Sequence, residues 1–196
     1  MTTILRIDSS IKGEASVSRK LLDRTQTRLT TTHPDAHVTT RDLSQGVPQI
    51  DGSWIGAVFT PAADRSPAQA EIAAYSDALL DEVRAADILL IGLPVYNFGV
   101  PAQLKSWFDH LARKGETFLY TEAGPEGLLK DKRAIVVLSS DGTKFGSEID
   151  FASGYVRHML GFFGITDVEF VHADQMVFDA ETTLKSAEAQ IEALVA

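Results

Sequence analysis

The sequence contains no cysteine. That absence excludes a thiolate nucleophile, a redox dithiol, Cys-ligated zinc and an iron–sulfur cluster from this chain, and it fits a reducing compartment. Long apolar runs are missing too: no stretch approaches the roughly 18 to 20 apolar residues that a membrane-spanning helix needs. The opening segment 1–10 has only a short apolar run ending in Asp8, without the basic start and extended apolar stretch of a secretory signal. A cytoplasmic protein with no membrane partner is expected. Positive charge is scarce, with 18 Lys and Arg against 27 Asp and Glu and a formal net charge of −9. A nucleic-acid partner is therefore not expected, because phosphate-backbone binding draws on a concentrated basic face. Internal repeats and low-complexity tracts are absent, and Pro and Gly punctuate short loops without marking a linker. One domain over 1–196 is expected, long enough to bury a sizeable core without a disulfide or metal.

What is present is a regular alternation. Short aliphatic or β-branched runs at Thr3–Asp8, Ala36–Asp42, Asp87–Leu93, Ala134–Ser139 and Asp167–His172 read as strands. Amphipathic segments at Ser16–Thr31, Pro67–Ala85, Pro101–Lys114, Ile149–Gly164 and Ala180–Val195 read as helices, with Pro67 and Pro101 in first turns that tolerate a missing N–H. ILLIGL and AIVVLS are apolar at nearly consecutive positions, as strands covered on both faces are. The pattern predicts an α/β three-layer sandwich with a parallel sheet and right-handed crossovers. By fold analogy, five strands favour the flavodoxin-like order 2-1-3-4-5. Two stretches fit no βα unit: 45–61, read as a loop with a short helix, and 117–130, read as an excursion before the fourth strand.

In open α/β sheets ligands sit beyond the carboxyl ends of the strands where strand order reverses, so the loops after strands one, three and four carry the functional expectation. The first gathers Ser10, Gly13, Ser16 and Ser18 at a helix start, where free N–H groups and hydroxyls suit a phosphate monoester. Helix capping is the plainer reading of Ser16 or Ser18 taken alone, and it is the clustering of Ser10, Ser16 and Ser18 that points to a phosphate. Neither G-x-G-x-x-G nor G-x-x-x-x-G-K-[ST] occurs there, which argues against dinucleotide fingerprints and nucleoside-triphosphate hydrolysis. The second loop, Pro94-Val95-Tyr96-Asn97-Phe98, sets two aromatics and an amide between Pro94 and Pro101, the residue types that cover a flat heterocycle. An apolar lid on the sheet end is the plainer reading of Phe98. The third, Ser139-Ser140-Asp141-Gly142, is small and hydroxylic, and it reads either as a ligand loop or as an ordinary Asp-Gly turn.

The five histidines give no metal spacing, since the only pair four apart, His33 and His37, is split by Pro34. No metal site is expected. Asp81 and Glu82 lie in a helix-like run and read as a solvated face.

With these loops in hand the chain resembles the FMN-dependent NADH:quinone oxidoreductase and azoreductase family of the flavodoxin-like superfamily, over nearly its full length. The most specific strings are 94–105, the segment TFLYTEAGPEGL at 117–128, and LGFFGI at 160–165. The resemblance implies FMN as bound cofactor and NADH or NADPH as hydride donor. Ser10, Ser16, Val17 and Ser18 would hold the phosphate and ribityl chain. Pro94, Val95, Tyr96, Asn97 and Phe98 would border the isoalloxazine, and Ser139, Ser140, Asp141 and Gly142 its other edge. The family's homodimer implies an acceptor pocket for a quinone or azo aromatic near the interface, lined by Phe98, Tyr120 and Phe162. Ping-pong turnover is expected, with no indispensable acid–base side chain, because the flavin carries the chemistry. Two residues depart from the family pattern: Asp141 replaces the first of a frequent glycine pair, and Val95 a frequent Met. A flavodoxin-type electron carrier, a flavin or chromate-type reductase of the same superfamily, and a cofactor-free domain are the alternatives.

Overall fold

The computed structural model describes residues 1–194. Five strands, β1 (Thr3–Asp8), β2 (His37–Asp42), β3 (Ile88–Pro94), β6 (Arg133–Ser139) and β7 (Asp167–Ala173), form one parallel sheet. Its order is β2-β1-β3-β6-β7. The intervening β4 (Phe118–Thr121) and β5 (Gly124–Gly127) pair with each other as an antiparallel hairpin outside that sheet. Discounting that hairpin, the order is the expected 2-1-3-4-5.

Helices cover both faces. On one side α1 (Val17–Thr32) and α6 (Ala180–Ala193) bring Leu22, Leu29 and Ile191 against Ile4, Leu90, Ile135 and Val137. On the other, α3 (Pro67–Ala85), α4 (Ala102–Leu111) and α5 (Ser153–Phe163) pack Leu79, Trp107, Phe108 and Phe163 against Leu5, Ile91 and Val136. Successive residues of a strand serve opposite faces, so a central strand covered on both must be apolar throughout. All seven residues of β3 are buried. Each large side chain so enclosed contributes about 1.5 to 3 kcal/mol relative to exposure.

Local chemistry sets most element ends. Ser66 caps α3 in a reciprocal pair with Gln69, and Pro67 occupies the first turn. At the end of α5, Gly164 takes φ 102° and its amide bonds back to Gly161. Three expectations shift. Pro101 stands just ahead of α4 instead of inside it, and that helix stops at Leu111 because Thr117 accepts from the Arg113 amide and donates to the Leu111 carbonyl, turning the chain. The α5 helix begins at Ser153, since Asp150 receives the Gly146, Ala152 and Ser153 amides and fixes 146–152 as a loop. The expected end of α6 at Val195 lies outside the described residues. The 45–61 stretch contains α2 (Gly52–Phe59), capped by Asp51. Glu82 is not on a solvated face as expected: half-buried, it pairs with Arg41 of β2.

Candidate functional site

The three loops expected to matter converge at the carboxyl ends of β1, β3 and β6. A cleft of about 70 Å³ there is lined by Ser10, Ser16, Val17, Pro94, Val95, Tyr96, Ser139, Ser140 and Asp141, with Lys12, Ala15 and Met176. Larger grooves exist, one of about 630 Å³ between α1 and α6, but it is made of helix surface and touches no strand-end loop. Strand ends collect backbone groups released from the sheet, so the small cleft has the donors a ligand needs.

Its first wall is the turn into α1. Ser16 caps the helix, accepting from the Arg19 amide at 3.2 Å, and its hydroxyl lies 3.1 Å from that of Ser18. Both serines are buried. The capping role and the cleft role therefore coincide in Ser16. The amides of Val17 and Ser18, first in the helix, have no carbonyl four residues back to bond within it. These donors, the two hydroxyls and the positive end of the helix dipole suit a dianionic phosphate.

The second wall is a tight turn. Tyr96 and Gly99 exchange backbone hydrogen bonds of 3.0 and 3.1 Å, which forces Asn97 and Phe98 into left-handed conformation with φ 48° and 70°. Such backbone is costly for side chains other than glycine and is held only where its surroundings impose it. Here the Phe151 amide donates to the Phe98 carbonyl at 3.1 Å, and Val95 is tied to the Ser139 carbonyl at 2.8 Å. Phe98 is 52% exposed at the rim, and Asn97 is exposed beside it, while the Tyr96 hydroxyl reaches back to Ser10 Oγ at 3.2 Å and receives the Ile11 amide at 3.2 Å.

The third wall is the turn after β6. The Ser140 amide donates to the Ala173 carbonyl, and the Met176 and Val177 amides donate to the carbonyls of Ser140 and Asp141. The buried Ser140 hydroxyl accepts from the Thr143 amide at 2.8 Å, shaping the turn in which Gly142 is exposed. Asp141 is exposed as well, 3.7 Å from Lys12 across the mouth of the cleft.

Tyr120 and Phe162 lie elsewhere. Both flank Phe118, with ring centroids 5.5 and 4.4 Å away, where the hairpin packs on α5. Among the described residues no ring contact links either to Phe98, so within one chain the three residues of the expected acceptor pocket form two separate groups. Sequence reasoning passed over Lys12, Ala15 and Met176. Lys12 and Ala15 sit inside a loop already singled out, whereas Met176 follows β7, and only the rule that every strand-end loop flanks the site would have found it.

A family profile described as a flavodoxin-like fold matches residues 2–195. The FMN-dependent NADH:quinone oxidoreductase of Cereibacter sphaeroides (strain KD131) is 63% identical over 196 residues, with both chains covered completely. The chain belongs to the FMN-dependent NADH:quinone oxidoreductase family. A second member, from Jannaschia sp. (strain CCS1), is 56% identical with complete coverage of both chains. Among solved structures, an FMN-dependent NADH-azoreductase from Bacillus anthracis in complex with FMN superposes with TM-score 0.88 at 26% identity, over 98% of this chain and 97% of that one. The enclosed cleft brings the hydroxyls and free N–H groups at the start of α1 beside the turn that carries the exposed Asn97 and Phe98, a donor set whose chemistry fits an anionic group joined to a flat ring.

Proposed function

We propose that this chain, as one FMN-binding domain, passes two electrons from NADH or NADPH to quinones and reductively cleaves aromatic azo compounds, in a ping-pong cycle. The observation that carries the reading is the meeting of a capped, hydroxyl-rich helix start with an aromatic turn at the switch point of the sheet, in a chain of this family. When bound, FMN supplies the redox chemistry, taking a hydride from the nicotinamide and passing electrons on to the acceptor.

The remaining tasks fall to the protein. Ser10, Ser16, Val17 and Ser18 bind the phosphate and ribityl chain. Pro94 to Phe98 border one edge of the ring, Ser139 to Gly142 the other. Phe98 gives donor and acceptor an apolar face to stack on in turn, which is what alternating occupation of one slot requires. The acceptor's protons come from solvent, and no side chain is assigned acid–base work. Asp141 adds negative charge near the ring edge and disfavours anionic acceptors.

The acceptor slot is completed by a second copy. Tyr120 and Phe59 are 65% and 71% exposed and flank one groove of about 670 Å³ over the buried Trp54 and Phe118, which leaves two aromatic side chains open to a partner. In a homodimer, Tyr120 and Phe162 of one protomer would face Phe98 of the other. No helix among the described residues is long and apolar enough to cross a membrane, and a cytoplasmic location accords with the absence of cysteine.

A flavodoxin-type carrier would share the phosphate loop but has no use for the exposed aromatic hairpin. Steady-state oxidation of NADH with a soluble quinone separates the two. The enzyme reading predicts turnover by this protein alone; turnover only after a separate reductase is added assigns the carrier role.

A further inference from the structure

Behind the phosphate loop, on the side away from the cleft, the Arg19 guanidinium gathers parts of the chain distant in sequence. Its Nη2 donates to the Ser10 carbonyl at 3.2 Å, to Asp42 Oδ1 at 2.7 Å and to Ser44 Oγ at 3.1 Å. Nη1 lies 3.8 Å from Asp8 Oδ1, and Asp8 is itself held by Arg6 Nε and Nη2. One side chain in the first turn of α1 thus joins the ends of β1 and β2 to the loop between β1 and α1. Arg19 is mostly enclosed, with 20% of its side chain exposed, and its Nε is buried with no hydrogen-bond partner among the described residues. The unpaired Nε carries a cost that the hydrogen bonds made by Nη2 have to offset.

The other side of the same peptide is also held. In the Ser10–Ile11 peptide the C=O and N–H point in opposite directions, as in any trans peptide. The C=O is taken by Arg19 and the N–H by the Tyr96 hydroxyl at 3.2 Å. Without Arg19 that peptide could rotate and turn a carbonyl oxygen toward the anion site, where it would repel a phosphate. Asp42 fixes the guanidinium in turn. Burial opposes its ionisation, but hydrogen bonds from Arg19 and from Ser44 outweigh that and hold its carboxyl below the ordinary value. The anchor therefore stays charged throughout the neutral range.

We propose that Arg19 is a positioning residue for the cofactor phosphate: acting from behind the loop, it locks the Ser10–Ile11 peptide with its carbonyl turned away from the phosphate and its N–H toward Tyr96. The inference rests on the FMN reading given above. It predicts that Arg19 controls recognition of the phosphate and leaves recognition of the ring largely alone.

The test compares dissociation constants of FMN and of riboflavin, which lacks the phosphate, measured by flavin fluorescence on apoprotein. Arg19→Gln should raise the FMN constant about 10-fold to 100-fold, the range for a lost charged hydrogen bond, and change the riboflavin constant by less than about 3-fold. Arg19→Lys keeps the charge between Asp8 and Asp42 but not the fork, and should show the same selective loss; it carries the comparison if the Gln variant does not fold. Unchanged FMN affinity, or equal losses for FMN and riboflavin, overturns the proposal. Parent protein that binds neither flavin overturns the cofactor reading itself, a result distinct from a parent that binds FMN beside an Arg19 variant that binds it as tightly.

Discussion

Gly127 of the hairpin and Gly164 after α5 touch backbone to backbone: a methyl group on Gly127 would stand 2.1 Å from the Gly164 nitrogen and 2.3 Å from the Phe163 carbonyl carbon. This contact seats the hairpin, aided by the Leu129 amide donating to the Phe163 carbonyl at 2.8 Å. Gly164 also needs glycine on its own account, at φ 102°.

Gly127→Ala should therefore destabilise the fold by about 2 to 4 kcal/mol, since backbone has to move to admit the methyl. Gly161 is the control: it lies in α5 with open space where its Cβ would be, so Gly161→Ala should gain about 0.5 to 1 kcal/mol. Chemical denaturation measures both. Equal stability of the two variants would remove the close contact from the account.

The phosphate loop makes a graded prediction. Ser18 is buried beside the cleft, its hydroxyl 3.1 Å from that of Ser16, so Ser18→Ala removes one hydroxyl next to the proposed phosphate position and leaves the α1 cap intact; FMN affinity should fall by about 1 to 3 kcal/mol with little change in apoprotein stability. Ser16→Ala should do the same and also cost about 1 kcal/mol of stability, because Ser16 is the cap. Titration of FMN beside thermal melts of apoprotein checks both. Unaltered flavin affinity in the double variant would move the phosphate elsewhere.

His110 predicts a pH dependence of stability. Burial, opposed by the Pro48 carbonyl and by the nearby Asp109 carboxylate, holds its pKa below the ordinary 6.5. Nε2 donates to the Pro48 carbonyl at 2.9 Å, while Nδ1 is buried and has no partner among the described residues to receive an added proton. The unfolded chain takes up that proton as the pH falls through about 6.5, before the folded chain does. The stabilising contribution is thus complete above about pH 6.5 and is lost as the pH falls from there toward the depressed value, at no more than about 1.4 kcal/mol per pH unit. His110→Gln keeps a donor and removes the titration. Urea midpoints below pH 6.5 should fall more steeply in the parent than in this variant, and parallel profiles would contradict the assignment.

Tyr120→Ala and Phe162→Ala test the shared slot. Each should raise KM for a quinone several-fold and leave FMN content unchanged, because neither residue borders the cleft. Mixing the Tyr120→Ala protein with the Ser16→Ala, Ser18→Ala double variant, at an FMN concentration too low to load the latter, should show whether slot and flavin come from different protomers: activity above that of either variant alone supports the dimer, and simple averaging speaks against it.

The parallel sheet and its ligand end were legible because their signals are local. β3 and β6 are continuous apolar runs, and the serines of the first loop stand within nine residues of one another at 10–18. The hairpin was not legible as strands: β5 reads Gly-Pro-Glu-Gly, a sequence of poor strand formers that pairs only because the two glycines and the antiparallel partner permit it. Arg19 was hidden for another reason. Its partner Asp42 is 23 residues away, and the distance is closed by the crossover that sets β1 beside β2 in register, Asp8 against Asp42. Glu82 was misread for the same cause, since its charge is answered by Arg41 of the edge strand, 41 residues distant.

The central claim is that the hydroxyl-lined mouth after β1 and the Tyr96–Gly99 turn together bind FMN and leave its ring open to a nicotinamide. The visible spectrum of protein saturated with FMN, freed of excess and recorded before and after anaerobic addition of NADH, tests it most directly. A yellow protein with one flavin per chain that bleaches to the two-electron reduced form is the predicted result; protein that stays colourless after a large excess of FMN would contradict it.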